Sequence, residues 1–187
     1  MSRMVLALGV LAACGGSDAG SVSGTVHGTA ISVADSVSAA ITINTNQHAA
    51  AILLTSTGNT CSDLQNRVEH PSEKAVIITV ADYANLTLTT PTVPGTYSIY
   101  QGGSAPPKAA TLQVLVDDLN CNRVDNMGAK ATSGTVTITS ISGNHFAGSF
   151  DVVLDSTDHI KGSFDPMECP AIQSAIDNTG SASSCQP

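Results

Sequence analysis

SGTVTITSISGNHFAGSFDVVLDSTDHIKGSF, residues 133–164, is the stretch that decides the fold. Val136 and Ile138 alternate with Thr135, Thr137 and Thr139. After Gly143-Asn144, Phe146, Phe150, Val152 and Leu154 share one parity; after Ser156-Thr157-Asp158, so do Ile160, Gly162 and Phe164. Alternation at period two, broken by turn residues, predicts a three-strand antiparallel meander. Opposed residues must point to the same face. A three-residue loop at 156–158 pairs Asp155 with His159 and sets Phe150 opposite Phe164. A three-residue loop at 143–145 adds Ile138 to that layer, each buried side chain contributing roughly 1.5–3 kcal/mol. A two-residue turn at Gly143-Asn144 breaks this register unless a bulge restores it.

The remaining text extends the pattern. Thr25-Val26-His27-Gly28-Thr29 reads as a strand, a turn at Gly28 and a second strand. Ile31, Val33, Val37, Ile41 and Ile43 share odd parity around a bend near Asp35. Strands are also expected over 49–57, 75–81, 96–100 and 111–116, with Leu86 and Leu88 in a shorter one. Cys61 to Arg67 and Ala171 to Ile176 read as short helical segments. Eight to ten strands with one thin apolar face each predict an all-β, two-sheet antiparallel sandwich, with a closed barrel as the alternative.

Composition narrows the function. The chain has 187 residues, only 12% of them charged, and a net charge of −8. No basic patch is legible, which disfavours nucleic acid and electrostatic attachment to anionic lipid. No phosphate loop, dinucleotide fingerprint or Gly-x-Ser-x-Gly elbow is present, and Gly102-Gly103-Ser104 lies in a Pro-rich loop.

The amino terminus is the most specific chemical text. Arg3 precedes an apolar run, Met4 to Ala13, too short to span a bilayer. Leu11-Ala12-Ala13-Cys14 closes it and Gly15-Gly16-Ser17 follows. This resembles a bacterial lipoprotein signal peptide with its lipobox. The resemblance implies cleavage before Cys14 and acylation there with palmitate-class chains. It implies outer-membrane sorting, since Gly15 stands where an Asp would favour inner-membrane retention. More than one chain is what stable anchoring requires. On this reading 1–13 is the signal peptide, 14–21 a flexible tether and 22–187 a single domain. The hairpin words GTVTIT, GSFDV and KGSF also resemble small envelope lipoproteins without an assigned activity, a likeness that brings no catalytic residues.

With Cys14 given to lipid, Cys61, Cys121, Cys169 and Cys185 remain. An even number in an oxidising compartment reads as disulfides. The expected pairs are Cys61–Cys121, tying two polar loops, and Cys169–Cys185, pinning the tail.

Candidate sites are few. Asp118-x-Asn120-x-Asn122-x-x-Asp125 begins as calcium loops do, with alternating oxygen ligands, and Asp117 adds a carboxylate. Against calcium, Arg123 stands where Gly is usual, and no Glu closes the frame. The alternative is a solvated Asn/Asp turn. His27, His48, His70, His145 and His159 are scattered. Asp151, Asp155, Asp158 and Asp165 gather in the last hairpin, where they read as outer-face solvation. Tyr83, Tyr97 and Tyr100 are the available aromatic platforms, Tyr97 and Tyr100 on opposite parities. The expectation is a non-enzymatic, lipid-anchored binding or structural module with no cofactor, meeting the membrane through its lipid and an envelope or extracellular protein. The alternatives are a calcium-stabilised adhesion-type domain and a small envelope hydrolase.

Overall fold

The computed structural model describes residues 19–178 and 183–186; Cys14 and the leader lie outside them. Fifteen strands are described: Ser21–Ser23 (β1), Thr25–Val26 (β2), Thr29–Ala30 (β3), Asp35–Asn44 (β4), Gln47–Thr55 (β5), Val68–Glu69 (β6), Lys74–Ala84 (β7), Thr87–Thr89 (β8), Gly95–Ile99 (β9), Lys108–Val116 (β10), Ala129–Ser142 (β11), His145–Leu154 (β12), His159–Phe164 (β13), Met167–Glu168 (β14) and Ser184–Cys185 (β15). Two short helices, Thr60–Asn66 (α1) and Ala171–Asp177 (α2), fall where the sequence places them.

The fold is all-β, but it is not two packed sheets. Eleven strands form one sheet in the order β1-β13-β12-β11-β9-β10-β7-β8-β5-β4-β14, curled into a half-barrel. The curl has a local cause in β11. Ala129, Ala131, Val136 and Ile138 all enter the core although their parity changes, and Ile141 packs against it. Bulges between Ala131 and Ser133 and between Ile138 and Ser140 switch the parity. Each bulged threonine donates its hydroxyl to the facing strand, Thr132 to the Val153 carbonyl (3.1 Å) and Thr139 to that of Ala147 (3.3 Å). Bulges bend a strand and increase its twist. One long strand can therefore line a single core over its whole length, and the sheet wraps that core instead of splitting into layers.

The meander is present with a different register. Gly143-Asn144 is a two-residue turn, and the Thr139 bulge restores the parity. At the second turn, Leu154 N–H donates to the Asp158 carbonyl, and Thr157 takes φ 69. The loop is thus 155–157, one residue earlier than expected. Phe150 faces Gly162 and Val136, while Phe164 faces Gly148. The phenylalanines keep the predicted face, but each ring covers a glycine on the neighbouring strand instead of standing directly opposite the other phenylalanine.

The ends of the core are closed differently. The β2–β3 hairpin delivers Val26, and Ile31 follows, sealing one end. At the other, Asp82, Tyr97 and Lys108 form a polar cap. The β4–β5, β7–β8 and β11–β12 turns leave the sheet at this second end, called here the hairpin end. The two margins of the sheet also approach one another there. Ser38, fully buried on β4, donates to the Asn144 carbonyl (2.9 Å) and accepts from Phe146 N–H (3.3 Å). Glu168 on β14 accepts from Asn144 N–H (2.8 Å). This accounts for β4: its inward residues are Ser36, Ser38 and Ala40, and its apolar odd face points outward. Val37, Ala39 and Ile41 pack under α1 and α2 in a second core.

The cysteine pairing differs from expectation. Cys61 bonds Cys169 and Cys121 bonds Cys185, replacing the expected Cys61–Cys121 and Cys169–Cys185. The sheet decides this. β14 returns to pair with β4, whose outer face carries α1, so Cys169 meets Cys61. β15 pairs with β6, bringing the tail to the 117–123 loop.

Candidate functional site

The residues singled out as a metal loop form a self-contained turn. Asp118 Oδ1 accepts the N–H groups of Asn120 (2.7 Å) and Asn122 (2.9 Å). These bonds, that of Asn122 first, hold its carboxyl below the usual range. Cys121 sits between them at φ 59, and Asp125 lies beyond in a 3₁₀ turn. Burial raises the carboxyl of the neighbouring Asp117, which Arg123 Nε approaches at 3.1 Å. Among the described residues, no three His, Cys, Asp or Glu side chains are grouped as metal ligands would be. The geometry is the Asx turn that short polar side chains favour.

The histidines take separate partners. His70 meets Asp63 (3.0 Å), His145 meets Asp165 (2.8 Å) and His159 meets Asp151 (2.5 Å). His27 donates its backbone N–H to Asp158 (2.7 Å). His48 Nδ1 lies 3.2 Å from Thr42 Oγ1. Among the described residues, none of these imidazoles bridges a hydroxyl and a carboxylate, the relay that nucleophilic hydrolysis uses. Asp151, Asp155, Asp158 and Asp165 likewise serve separate partners, Asp155 accepting from Lys130 N–H (3.0 Å).

The three tyrosines divide. Tyr97 is fully buried in the core cap. Its hydroxyl donates to Asp82 Oδ1 (3.3 Å), and Lys108 Nζ donates to that same oxygen (3.0 Å) and to the phenol oxygen (3.3 Å). The ammonium also stands 4.7 Å from the ring centroid, a distance at which it is attracted by the π-face. Burial pushes the Tyr97 phenol up, and the bond to Asp82 raises Lys108. Both folded values lie above the unfolded ones. The stability they contribute is therefore complete below pH ~10 and lost as pH rises through the folded values. Tyr97→Phe should cost about 1 kcal/mol at neutral pH, and its stability, read by urea denaturation, should fall less steeply with pH above ~10 because one raised group no longer titrates. An unchanged steepness would contradict the phenol's part in the cap.

Tyr83 and Tyr100 do converge. With Ile43, Ala81, Leu86 and Leu88 they line a groove of about 590 Å³ on the outer face of β5, β7 and β10. The β7–β8 turn flanks it on one side and the 100–107 loop on the other. No lining residue carries a formal charge. The groove's size falls within the range of small-molecule sites, and its wall is mainly apolar. Leu86 stands at its rim, 83% exposed. It occupies the second position of a two-residue turn, with Asn85 at φ 51 and Leu86 at φ 64. Glycine is preferred there; the left-handed conformation costs another residue ~1–2 kcal/mol. A leucine both strained and exposed gains nothing from the chain's own packing. The spacing of Leu86 and Leu88 reads as a strand, but β8 begins only at Thr87. The available signal was Asn85-Leu86 standing between alternating residues where Asn-Gly would make an ordinary hairpin turn.

Fold and site together define an all-β protein with an uncharged, apolar groove on the outside of a curled sheet. No family model, curated protein or solved structure matches the chain. Among the described residues no helix is long and apolar enough to cross a membrane.

Proposed function

We propose that the protein is a lipid-anchored, non-enzymatic binding module of the bacterial envelope, held at the outer membrane by Cys14 and capturing an apolar ligand or side chain in the outer groove. The observation that carries the binding role is the uncharged groove itself, walled by Tyr83, Tyr100 and Leu88 with strained Leu86 at its rim. Leu11-Ala12-Ala13-Cys14 supports the anchor. The two tyrosines supply rigid surface with a polar tip, suited to holding an apolar body while water stays at the edge.

Two arms test this reading. Metabolic labelling with an alkyne fatty acid should mark the wild type and leave Cys14→Ala unmarked; equal labelling of both contradicts the anchor. The uncharged dye N-phenylnaphthylamine should brighten on titration with the Cys14→Ala chain. Adding Ala109→Arg, which places a guanidinium in the groove wall, should abolish the rise. Equal brightening with and without that substitution contradicts the groove.

A further inference from the structure

The strand registers put the chain's start and the hairpin tips at one end. Ser21 pairs with Ser163, and Gly20 packs on the backbone of Ser163 and Phe164. Phe164 in turn pairs with Gly148, four residues beyond the Gly143-Asn144 turn. Ala19 therefore points out of the hairpin end. Cys14 precedes it by five residues, a reach of at most about 18 Å when fully extended. A lipid on Cys14 keeps that end close to the bilayer.

At the same end the β4–β5 and β7–β8 tips are apolar and uncharged; the charged groups there, the Asp82–Lys108 pair and, at the β11–β12 turn, Asp165 and Glu168, are each engaged, by one another, by His145 and by Asn144 N–H. Leu86 is 83% exposed and Ile43, beside the β4–β5 turn, is 47% exposed. Val93 is exposed in the loop leading to Gly95, which pairs with Ile138 near the β11–β12 turn. Residues 36–62 and 83–107, which supply the β4–β5 and β7–β8 turns and both walls of the groove, contain no Asp, Glu, Lys or Arg. In a chain of net charge −8 these two tips, carrying no charge of their own, can approach a bilayer without like-charge repulsion from their own residues. An apolar surface flanked by tyrosine is suited to the headgroup–acyl boundary.

We infer that the hairpin end is a membrane-docking surface. Leu86, with Ile43 and Val93, dips into the headgroup–acyl boundary of the bilayer that holds the Cys14 lipid, and the groove opens at that boundary. The inference rests on the lipid-anchored reading. It also explains the turn: Leu86 is strained because lipid, and not the chain's own core, is its partner.

The chain contains no Trp, so a single substitution provides a unique fluorophore. Leu86→Trp and Ile43→Trp are each made in the full chain with its leader, and the processed proteins are placed in phosphatidylcholine vesicles with or without dibrominated acyl chains. Leu119→Trp is the control, because Leu119 is 78% exposed in the loop after β10, at the opposite end. Expected is blue-shifted emission that brominated lipid largely quenches for Leu86→Trp and Ile43→Trp, and water-like, unquenched emission for Leu119→Trp. If intact mass shows lipid on Cys14 but both hairpin-end variants behave like Leu119→Trp, the docking is overturned and the anchor stands. If the mass shows no lipid, the anchored reading falls and the inference with it. A concentration-dependent blue shift without vesicles would show that a second copy covers this surface, which also overturns it.

Discussion

Cys61→Ser/Cys169→Ser protein is expected to lose about 2–5 kcal/mol of stability, roughly 4–20 °C in Tm at ~2–4 °C per kcal/mol. The bond spans 108 residues, and on the chain-entropy model a cross-link over so long a loop restricts the unfolded chain strongly. Its location adds to the effect. Cys169 is fully buried against Ile172, Val37 and Ala39, and α1 and α2 cover the outer face of β4 and β5 through this link. Cys121→Ser/Cys185→Ser should cost distinctly less. Its far end is an exposed strand of two residues, and a tail that can detach locally does not draw the sheet with it. Thermal melts of the two double variants decide this, and a larger loss from the Cys121–Cys185 pair would contradict the layering described.

Gly134→Ala should be among the most damaging single-carbon additions. Gly134 opens the central part of β11 at φ +111, and a Cβ there would stand 2.2 Å from the Asp151 carbonyl oxygen and 2.7 Å from the Val152 Cα. Both obstacles are backbone of the paired strand, so no rotamer change relieves them. The expected cost is roughly 3 kcal/mol or more, combining left-handed strain with overpacking. Gly28→Ala separates the two terms: Gly28 has φ +75 and nothing within 4 Å of a new Cβ. It should cost only about 1 kcal/mol. Equal losses, read by urea denaturation, would mean that close strand approach at Gly134 contributes nothing.

Much of the local structure was legible because it is written locally. Alternation in 133–164 gave the meander and the face of each phenylalanine, and Cys61 to Arg67 gave α1. The 155–157 loop was misplaced by one residue because its left-handed position is Thr157, which carries no glycine or asparagine signal. The odd parity of Val37 and Ile41 marks one face, but Ala39, which reads as an interruption, lies on it too, and Ile31 and Val33 of the same parity pack against the main core. Parity could not reveal that the face of Val37 and Ile41 lies under helices while Ser36 and Ser38 look inward, since that depends on β4 lying at a margin of the sheet. One sheet or two turned on Thr132 and Thr139, whose bulges redirect β11; threonine is common in strands and announces nothing. Of the site, Tyr83 and Tyr100 stand out in the sequence, but their convergence spans β7 and the 100–107 loop, and Leu86 reads as a strand residue.

The two margins of the sheet meet at the hairpin end only if the sheet curls back so that β14 lies on β4 with Cys169 against α1. Peptide mapping of the unreduced protein by mass spectrometry tests that claim most directly. The curled sheet predicts peptides joined as Cys61–Cys169 and Cys121–Cys185. Peptides joined as Cys61–Cys121 and Cys169–Cys185 would contradict it.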